Sequence, residues 1–336
     1  MAARRGAERI VARCREAQAL SGYTWTGADS QHGGILRPMP PAGPFGAEIV
    51  DGDAATGPLV MRFPVGEYYS PMYDTRELGE QRDRLWPAAP RETVGVDWRD
   101  ASQVALCRDV FARQTRLDFA EEEGEDPTEY FARNTQYPPL DAWLLEGMIR
   151  HVRPRQIIEV GSGYSTLVSA RVNREFFETQ INLTCIEPYP RGFLSDGIPG
   201  VTELRVEKIQ DTPLSLFAAL GSGDILFVDT SHTVKTGGDV PWIYHEILPR
   251  LAPGVLVHIH DIFLPAEYPE SWVMEGWGWN EMYLVRAFLT FNDAFEIVWG
   301  TMYMLNNHGD DVLTAFPDLG PYWAMGGASL WLRRRT

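Results

Sequence analysis

Gln156-Ile157-Ile158-Glu159-Val160-Gly161-Ser162-Gly163-Tyr164-Ser165-Thr166 runs from an apolar stretch of strand length, through a glycine-spaced turn, into residues that open a helix. A near-continuous apolar run predicts a strand covered on both faces, as in a parallel sheet. Glycines at a strand-to-helix turn let the backbone approach a ligand closely.

Four similar runs follow: Asn182 to Ile186, Thr202 to Val206, Ile225 to Val228 and Val255 to Ile259. Helical stretches separate them, and this alternation predicts a doubly wound sheet. Two last runs, Phe295 to Trp299 and Ala328 to Leu332, have no clear helix between them and are expected to pair antiparallel at one edge. The expected fold class is α/β: a Rossmann-like, doubly wound, mostly parallel sheet over residues 151–336 with an antiparallel edge pair. Residues 1–150 are expected to form a smaller α+β unit that caps the pocket, binds substrate or builds a dimer.

Within that first part, Ile10, Val11, Cys14 and Leu20 have the spacing of a short amphipathic helix. Residues 22–72 are rich in Gly and Pro, with a short strand expected near Leu59 to Phe63. Helices are expected near Ser102 to Thr115, Pro139 to His151 and, beyond the sheet's fifth strand, Met282 to Phe291. The acidic run Glu121 to Asp126 reads as a solvated loop.

Composition narrows the function classes. The chain has 336 residues, 44% hydrophobic and 23% charged, which is a globular balance. Thirty Lys and Arg against 46 Asp and Glu give a formal charge of −16, which disfavours a nucleic-acid partner because such binders need a basic face. No apolar stretch approaches the length of a membrane span, so no membrane partner is expected. Three dispersed cysteines, Cys14, Cys107 and Cys185, fit a reducing cytoplasm better than a disulfide scaffold.

The dinucleotide fingerprint GxGxxG needs a third glycine where Thr166 stands. Glu187 closes the second strand run, 24 residues beyond Gly163, where a carboxylate can accept both hydroxyls of a ribose. An acid, GxG and a ribose acid at the next strand together resemble motif I of the class I S-adenosylmethionine-dependent methyltransferases. The segment GSGYST is similar to a bacterial subgroup with GSGxST. The resemblance covers about residues 130–336. It implies S-adenosylmethionine as cofactor and a binding set of Glu159, Gly161, Ser162, Gly163, Ser165, Thr166, Glu187, Gln210 and Asp229. In it Glu159 lies near the methionine amino group, Glu187 holds the ribose, and Ile209 and Gln210 border the adenine. Asn134, Tyr137 and Asp141 fall in a segment that can fold over the cofactor.

Two polar clusters end the fourth and fifth strand runs: Asp229-Thr230-Ser231-His232 and His258-Ile259-His260-Asp261. Ligands of open α/β sheets lie beyond these carboxyl ends. Strand alternation puts His258 and His260 on one face, with His260 and Asp261 nearer the terminus. Histidine titrates near neutrality, so His260 or His232 is expected to deprotonate the acceptor, oriented by Asp261 or Asp229. The expected reaction is methyl transfer to a small molecule, to oxygen rather than nitrogen. Asp229 and Asp261 also match the Mg²⁺-chelating positions of catechol-type and macrocin-type O-methyltransferases, although Ile262 stands where those carry a further Asp or Asn. If a divalent metal is bound, its ligands are Asp229, His260 and Asp261. Trp272, Trp277 and Trp279 lie in a Pro- and aromatic-rich insert that either walls the site or anchors to the core. Competing readings are a metal-assisted hydroxylase on the methyltransferase fold, a nicotinamide-linked oxidoreductase, and a non-catalytic binding protein. A homodimer is compatible with all of them.

Overall fold

A computed structural model describes residues 48–50 and 59–335. The amphipathic segment expected around Ile10 to Leu20 and much of the Gly- and Pro-rich stretch lie outside the described residues. Seven strands form one sheet: β1 (Gln156–Val160), β2 (Asn182–Ile186), β3 (Glu203–Arg205), β4 (Ile225–Val228), β5 (Leu256–Ile259), β6 (Phe295–Gly300) and β7 (Leu330–Arg334). Their order is β3-β2-β1-β4-β5-β7-β6. The first five run parallel. β7 pairs antiparallel with both β5 and β6. The α/β doubly wound expectation holds, because β1, β2, β4 and β5 are apolar enough to be covered on both faces.

The last two strands pair antiparallel at one edge as expected, and the edge differs from the sequence expectation in one respect, the helix between them. β7 is inserted between β5 and β6, so β6 alone forms that edge. A 15-residue helix, α5 (Thr301–Ala315), does separate β6 from β7. Its sequence Asn306-Asn307-His308-Gly309-Asp310-Asp311 has turn-forming composition, and the helix breaks regular geometry at His308 (φ −136°, ψ 36°). Met304, Val312 and Ala315 nevertheless bury one face of it, and that burial outweighs intrinsic propensity.

Three other helices position the site: α2 (Pro139–Val152), α3 (Tyr164–Phe177) and α4 (Glu281–Leu289), with α1 (Asp100–Asp109) bracing α5 through Arg108 and Asp311 at 2.7 Å. Every residue of α2 from Pro139 to Ile149 is buried. Two acids are therefore carried into the interior, Asp141 and Glu146. Glu146 is matched by Arg150 one turn on (2.7 Å) and by the Leu117 amide (2.9 Å). The expected division at residue 150 is not where contacts thin. α2 lies in the same compact unit as the sheet, and that unit contains Ala89–Tyr268 and Trp279–Thr336.

The second unit takes its described residues from Glu16–Ala88 together with Pro269–Gly278. It has an antiparallel pair, Glu48–Val50 with Leu59–Met61, and short helices at Thr75–Glu80, Arg82–Leu85 and Glu270–Met274. The insert is tied in by an ion pair between Arg82 and Glu270 and by the Tyr73 hydroxyl, which donates to the Val273 carbonyl at 3.0 Å. Trp272 and Trp277 stack on each other at 4.4 Å. Among the described residues no helix is long and apolar enough to cross a membrane.

The two glycines of the first turn have different reasons. Gly161 sits at φ +78°, and a Cβ there would lie 1.6 Å from the Asp229 carbonyl oxygen. The turn after β1 thus presses directly on the backbone leaving β4. Gly163 has extended backbone, and a Cβ there would meet nothing within 4 Å. Gly161→Ala is expected to cost about 2–4 kcal/mol, combining left-handed backbone strain with overpacking. A lower urea midpoint with unchanged m-value would confirm it; an unchanged midpoint would refute it.

Candidate active site

The chain runs from β1 outward to β2 and β3 and then returns to β4 beside β1. Such a reversal opens a crevice at the carboxyl ends of the strands. A cleft of ≈ 270 Å³ lies there, lined by Gln136, Tyr137, Glu187, Tyr189, Arg191, Asp229 and the turn Gly161 to Ser165. The turn is locked from beneath. The Ser165 and Thr166 hydroxyls both donate to Glu159 Oε1, at 2.6 and 2.8 Å. Thr166 Oγ1 also accepts the Gly163 amide at 3.1 Å. Glu159 is fully buried, and its Oε2 makes no hydrogen bond. Burial pushes its carboxyl up to about 7, and the charges of Asp229 and Glu187 push the same way, while the two hydroxyls oppose them.

Glu187 follows β2. Its two oxygens accept the Ser162 and Tyr189 amides at 3.1 and 2.8 Å. Each oxygen keeps acceptor capacity for a ligand hydroxyl. Arg191 braces the far wall through Gln136 (2.7 Å) and lies over the Tyr164 ring.

The second half of the site is a cluster of imidazoles and carboxylates at the ends of β4 and β5. His232 Nε2 lies 3.1 Å from Asp229 Oδ1 and 3.5 Å from Asp261 Oδ2, and its Nδ1 lies 3.0 Å from Glu281 Oε2. The His232 carbonyl accepts the amides of Asn280 and Glu281, so one residue holds the start of α4 by both backbone and ring. Trp279 covers the ring at 4.3 Å. His260 Nε2 lies 3.2 Å from Asp141 Oδ2. Its Nδ1 lies 3.5 Å from both Asp229 Oδ2 and Asp261 Oδ2. Asp141 is saturated from behind by the Ala328 amide (2.9 Å) and the Ser329 hydroxyl (2.6 Å). His232 and Asp261 both hold left-handed backbone, φ +52° and +56°. Such strain costs of order 1–3 kcal/mol each and persists where surroundings enforce it.

Charge follows geometry. Burial alone would lower the two histidines. For His232, Asp229, Glu281 and Asp261 outweigh burial and raise it to about 10. For His260, Asp261, Asp229 and Asp141 raise it well above the ordinary value. Burial would raise Asp229, but the two rings hold it well below the usual carboxylate range. A base must be unprotonated, and the carboxylates around both rings favour their protonated forms. His258 is fully buried, stacks on Phe227 at 4.1 Å and is driven neutral by burial.

Most of the expected cofactor residues come together: Gly161, Ser162, Gly163, Ser165, Glu187 and Asp229 line the cleft, with Glu159 and Thr166 beneath the turn. Gln210 does not line it; its amide donates to the Gly237 carbonyl at 2.9 Å, and Ile209 is buried. Tyr137 lines the cleft, Asn134 ties the turn before it, and Asp141 belongs to the histidine cluster. Sequence reasoning missed Glu281 as a partner of His232. The available signal was an acid in the first turn of a mostly apolar helix.

Residues 158–262 match a family model described as a methyltransferase domain. An uncharacterized protein of Archaeoglobus fulgidus is 31% identical over 162 residues, 47% of this chain and 73% of that protein. Among solved structures, the O-methyltransferase TomG of Streptomyces achromogenes in complex with SAM is 16% identical, with a TM-score of 0.39 over 77% of this chain and 96% of that one. An SAH-bound Podospora anserina methyltransferase, PaMTH1, is 13% identical, with a TM-score of 0.37 over 82% and 98% of the two chains. The chain belongs to one family with the archaeal protein, and its match to the methyltransferase-domain model spans the glycine turn and the ends of β4 and β5.

The titration of Glu159 has a definite sign. Its folded value lies above the unfolded one, so its contribution to stability is present below about pH 4.5 and is lost as pH rises through about 7. Glu159→Gln removes that loss. Between pH 5 and pH 8 the wild-type protein is expected to lose stability relative to the variant, by an amount on the order of 3 kcal/mol. Urea denaturation of both proteins at the two pH values measures it, and parallel profiles would contradict it.

Proposed function

We propose that the protein is an S-adenosylmethionine-dependent methyltransferase that modifies a hydroxyl group of a small molecule. The observation that carries this reading is the buried Glu159 carboxyl, with an unpartnered oxygen at the foot of an open glycine turn. An ammonium group reaching past the turn would supply the missing partner and favour the ionised carboxylate. Glu187 offers a held carboxylate for two vicinal hydroxyls. The empty space beside Gly163 accommodates a nucleoside that any side chain at that position would obstruct. Bound there, S-adenosylmethionine supplies an electrophilic methyl group on a sulfonium.

The chain's own residues then position and deprotonate the acceptor. Asp229 belongs to both the cleft and the cluster, so the cofactor end and the polar end of the site meet at one residue. Methyl transfer is a displacement in which holding the reacting atoms in line supplies much of the acceleration. An acceptor hydroxyl must also release a proton, and the network of Asp229, His232, His260 and Asp261 is built to hold protons at that end of the sheet. A net charge of −16 and an acidic site support a neutral or cationic small molecule over a nucleic acid.

Calorimetric titration with S-adenosylhomocysteine tests the cofactor assignment. Gly163→Leu is expected to fold normally and lose at least 100-fold in affinity. Glu187→Ala is expected to lose about 10–100-fold, as for hydrogen bonds to a charged group. Failure of the wild-type protein to bind, or equal binding by Gly163→Leu, would refute the reading. Methyl transfer to phenols and sugar hydroxyls, compared with primary amines, tests the preference for oxygen.

A further inference from the structure

We infer that Tyr244 is a positioning residue for the histidine cluster: its hydroxyl donates to Glu281 Oε1 and so fixes the carboxylate that orients His232. This concerns the polar end of the site and stands without the methyl-transfer reading.

Two orphaned atoms carry it. The Tyr244 hydroxyl and Glu281 Oε1 are both buried, and neither makes a regular hydrogen bond. Tyr244 is 5% exposed and Glu281 is fully buried. A phenol hydroxyl can donate, and a carboxylate oxygen accepts. Each atom is costly alone, and each is the partner the other lacks. They are neighbours. Burial raises the Tyr244 hydroxyl well above the ordinary phenol value, and the nearby Glu281 carboxylate raises it further, so the hydroxyl keeps a proton to donate. The last torsion of a glutamate side chain is broad, and a small turn of the carboxyl group closes the pair.

Local structure aims the two groups at each other. Residues Ile243–Ile247 wind as one π-helical turn, a rare geometry that recurs at functional sites. Ile243, Tyr244 and Ile247 are buried there, and His245 is exposed. The Tyr244 ring meets Phe288 edge-on at 5.7 Å. Phe288 lies seven residues beyond Glu281 in α4, a spacing that puts both on one face of the helix. Ring contact and hydroxyl thus fall along a single stripe of α4.

The consequence reaches the cleft. Glu281 Oε2 lies 3.0 Å from His232 Nδ1, and His232 Nε2 lies 3.1 Å from Asp229 Oδ1. The backbone on either side is already tied, because the His232 carbonyl accepts the Asn280 and Glu281 amides. The Glu281 carboxyl group is the part left to turn. Held on both oxygens, it fixes the plane of the ring and directs Nε2 at Asp229. The order from core to cleft is Tyr244, Glu281, His232, Asp229.

The test is proton NMR and urea denaturation of the full chain and of Tyr244→Phe, which removes only the hydroxyl. The His232 signals are assigned with His232→Gln. In the wild-type protein the Tyr244 hydroxyl and the His232 Nδ1–H are expected as downfield protons in slow exchange with water. In Tyr244→Phe the His232 proton is expected to shift upfield and exchange roughly 10-fold faster, as on losing one hydrogen bond to a charged group. Urea separates a bonded hydroxyl from an idle one by sign. Removing an idle buried hydroxyl leaves the midpoint unchanged or raises it, whereas removing the partner of Glu281 Oε1 lowers it. In a Glu281→Leu background, which lacks the acceptor, the fall is expected to vanish. If Tyr244→Phe fails to fold, the wild-type hydroxyl proton alone decides. A wild-type hydroxyl proton in fast exchange, an unmoved His232 resonance, or a midpoint that does not fall would each overturn the inference. Titrating the same samples with S-adenosylhomocysteine reports separately on the cofactor cleft, where Tyr244→Phe is expected to leave affinity unchanged.

Discussion

The close approach of two backbones sets the rest of the site. With no side chain at Gly161, the turn leaving β1 rests against the carbonyl of Asp229 as the chain leaves β4. Larger residues would hold the two strand ends apart. Because they are not held apart, Asp229 serves two neighbourhoods at once. One side of it faces the glycine turn and Glu187, and the other meets the histidine cluster. This adjacency of the cleft and the cluster follows from the absence of one methyl group.

Around that contact the molecule concentrates negative charge in its interior. Asp141, Glu159 and Glu281 are fully buried, and each is answered differently. Asp141 is answered by backbone amides, a hydroxyl and a ring. Glu281 is answered by a ring on Oε2, while its Oε1 makes no hydrogen bond. Glu159 is answered on one oxygen only, by two hydroxyls. Burying ionised groups is costly unless they are paired, so the incompletely matched carboxyls of Glu159 and Glu281 are the costly positions of this interior. Glu146, fully matched by Arg150 and the Leu117 amide, shows what a structural buried acid looks like in the same helix as Asp141.

Much of this was legible in the residue order. Strands β1, β2 and β4 are short, uninterrupted apolar runs, and the glycine turn and Glu187 stand at fixed distances from them. What was hidden depended on partners far along the chain. Nothing local to Asn306-Asn307-His308-Gly309 announces a helix; its stability comes from burying Met304, Val312 and Ala315. Nothing near Glu281 or Asp141 announces that each will meet a histidine 49 or 119 residues away. The full bias of the rings toward their protonated forms was less visible, because two of the four carboxylates behind it, Asp141 and Glu281, reach them only through the fold. Gln210 followed the expected position in the chain, yet its amide is engaged by a neighbouring loop.

The insertion of β7 between β5 and β6 has a consequence in time. Asp141 is fastened by Ala328 and Ser329, 187 and 188 residues further along, at the entry to that strand. A growing polypeptide can assemble β1 to β5 and the glycine turn well before this segment has been synthesised. During that interval His260 would lack a fixed neighbour, and β5 would present an open hydrogen-bonding edge to solvent. The arrangement delays completion of the histidine cluster until the sheet is closed, and it makes the unpaired flank of β5 the stretch most in need of shielding while folding proceeds.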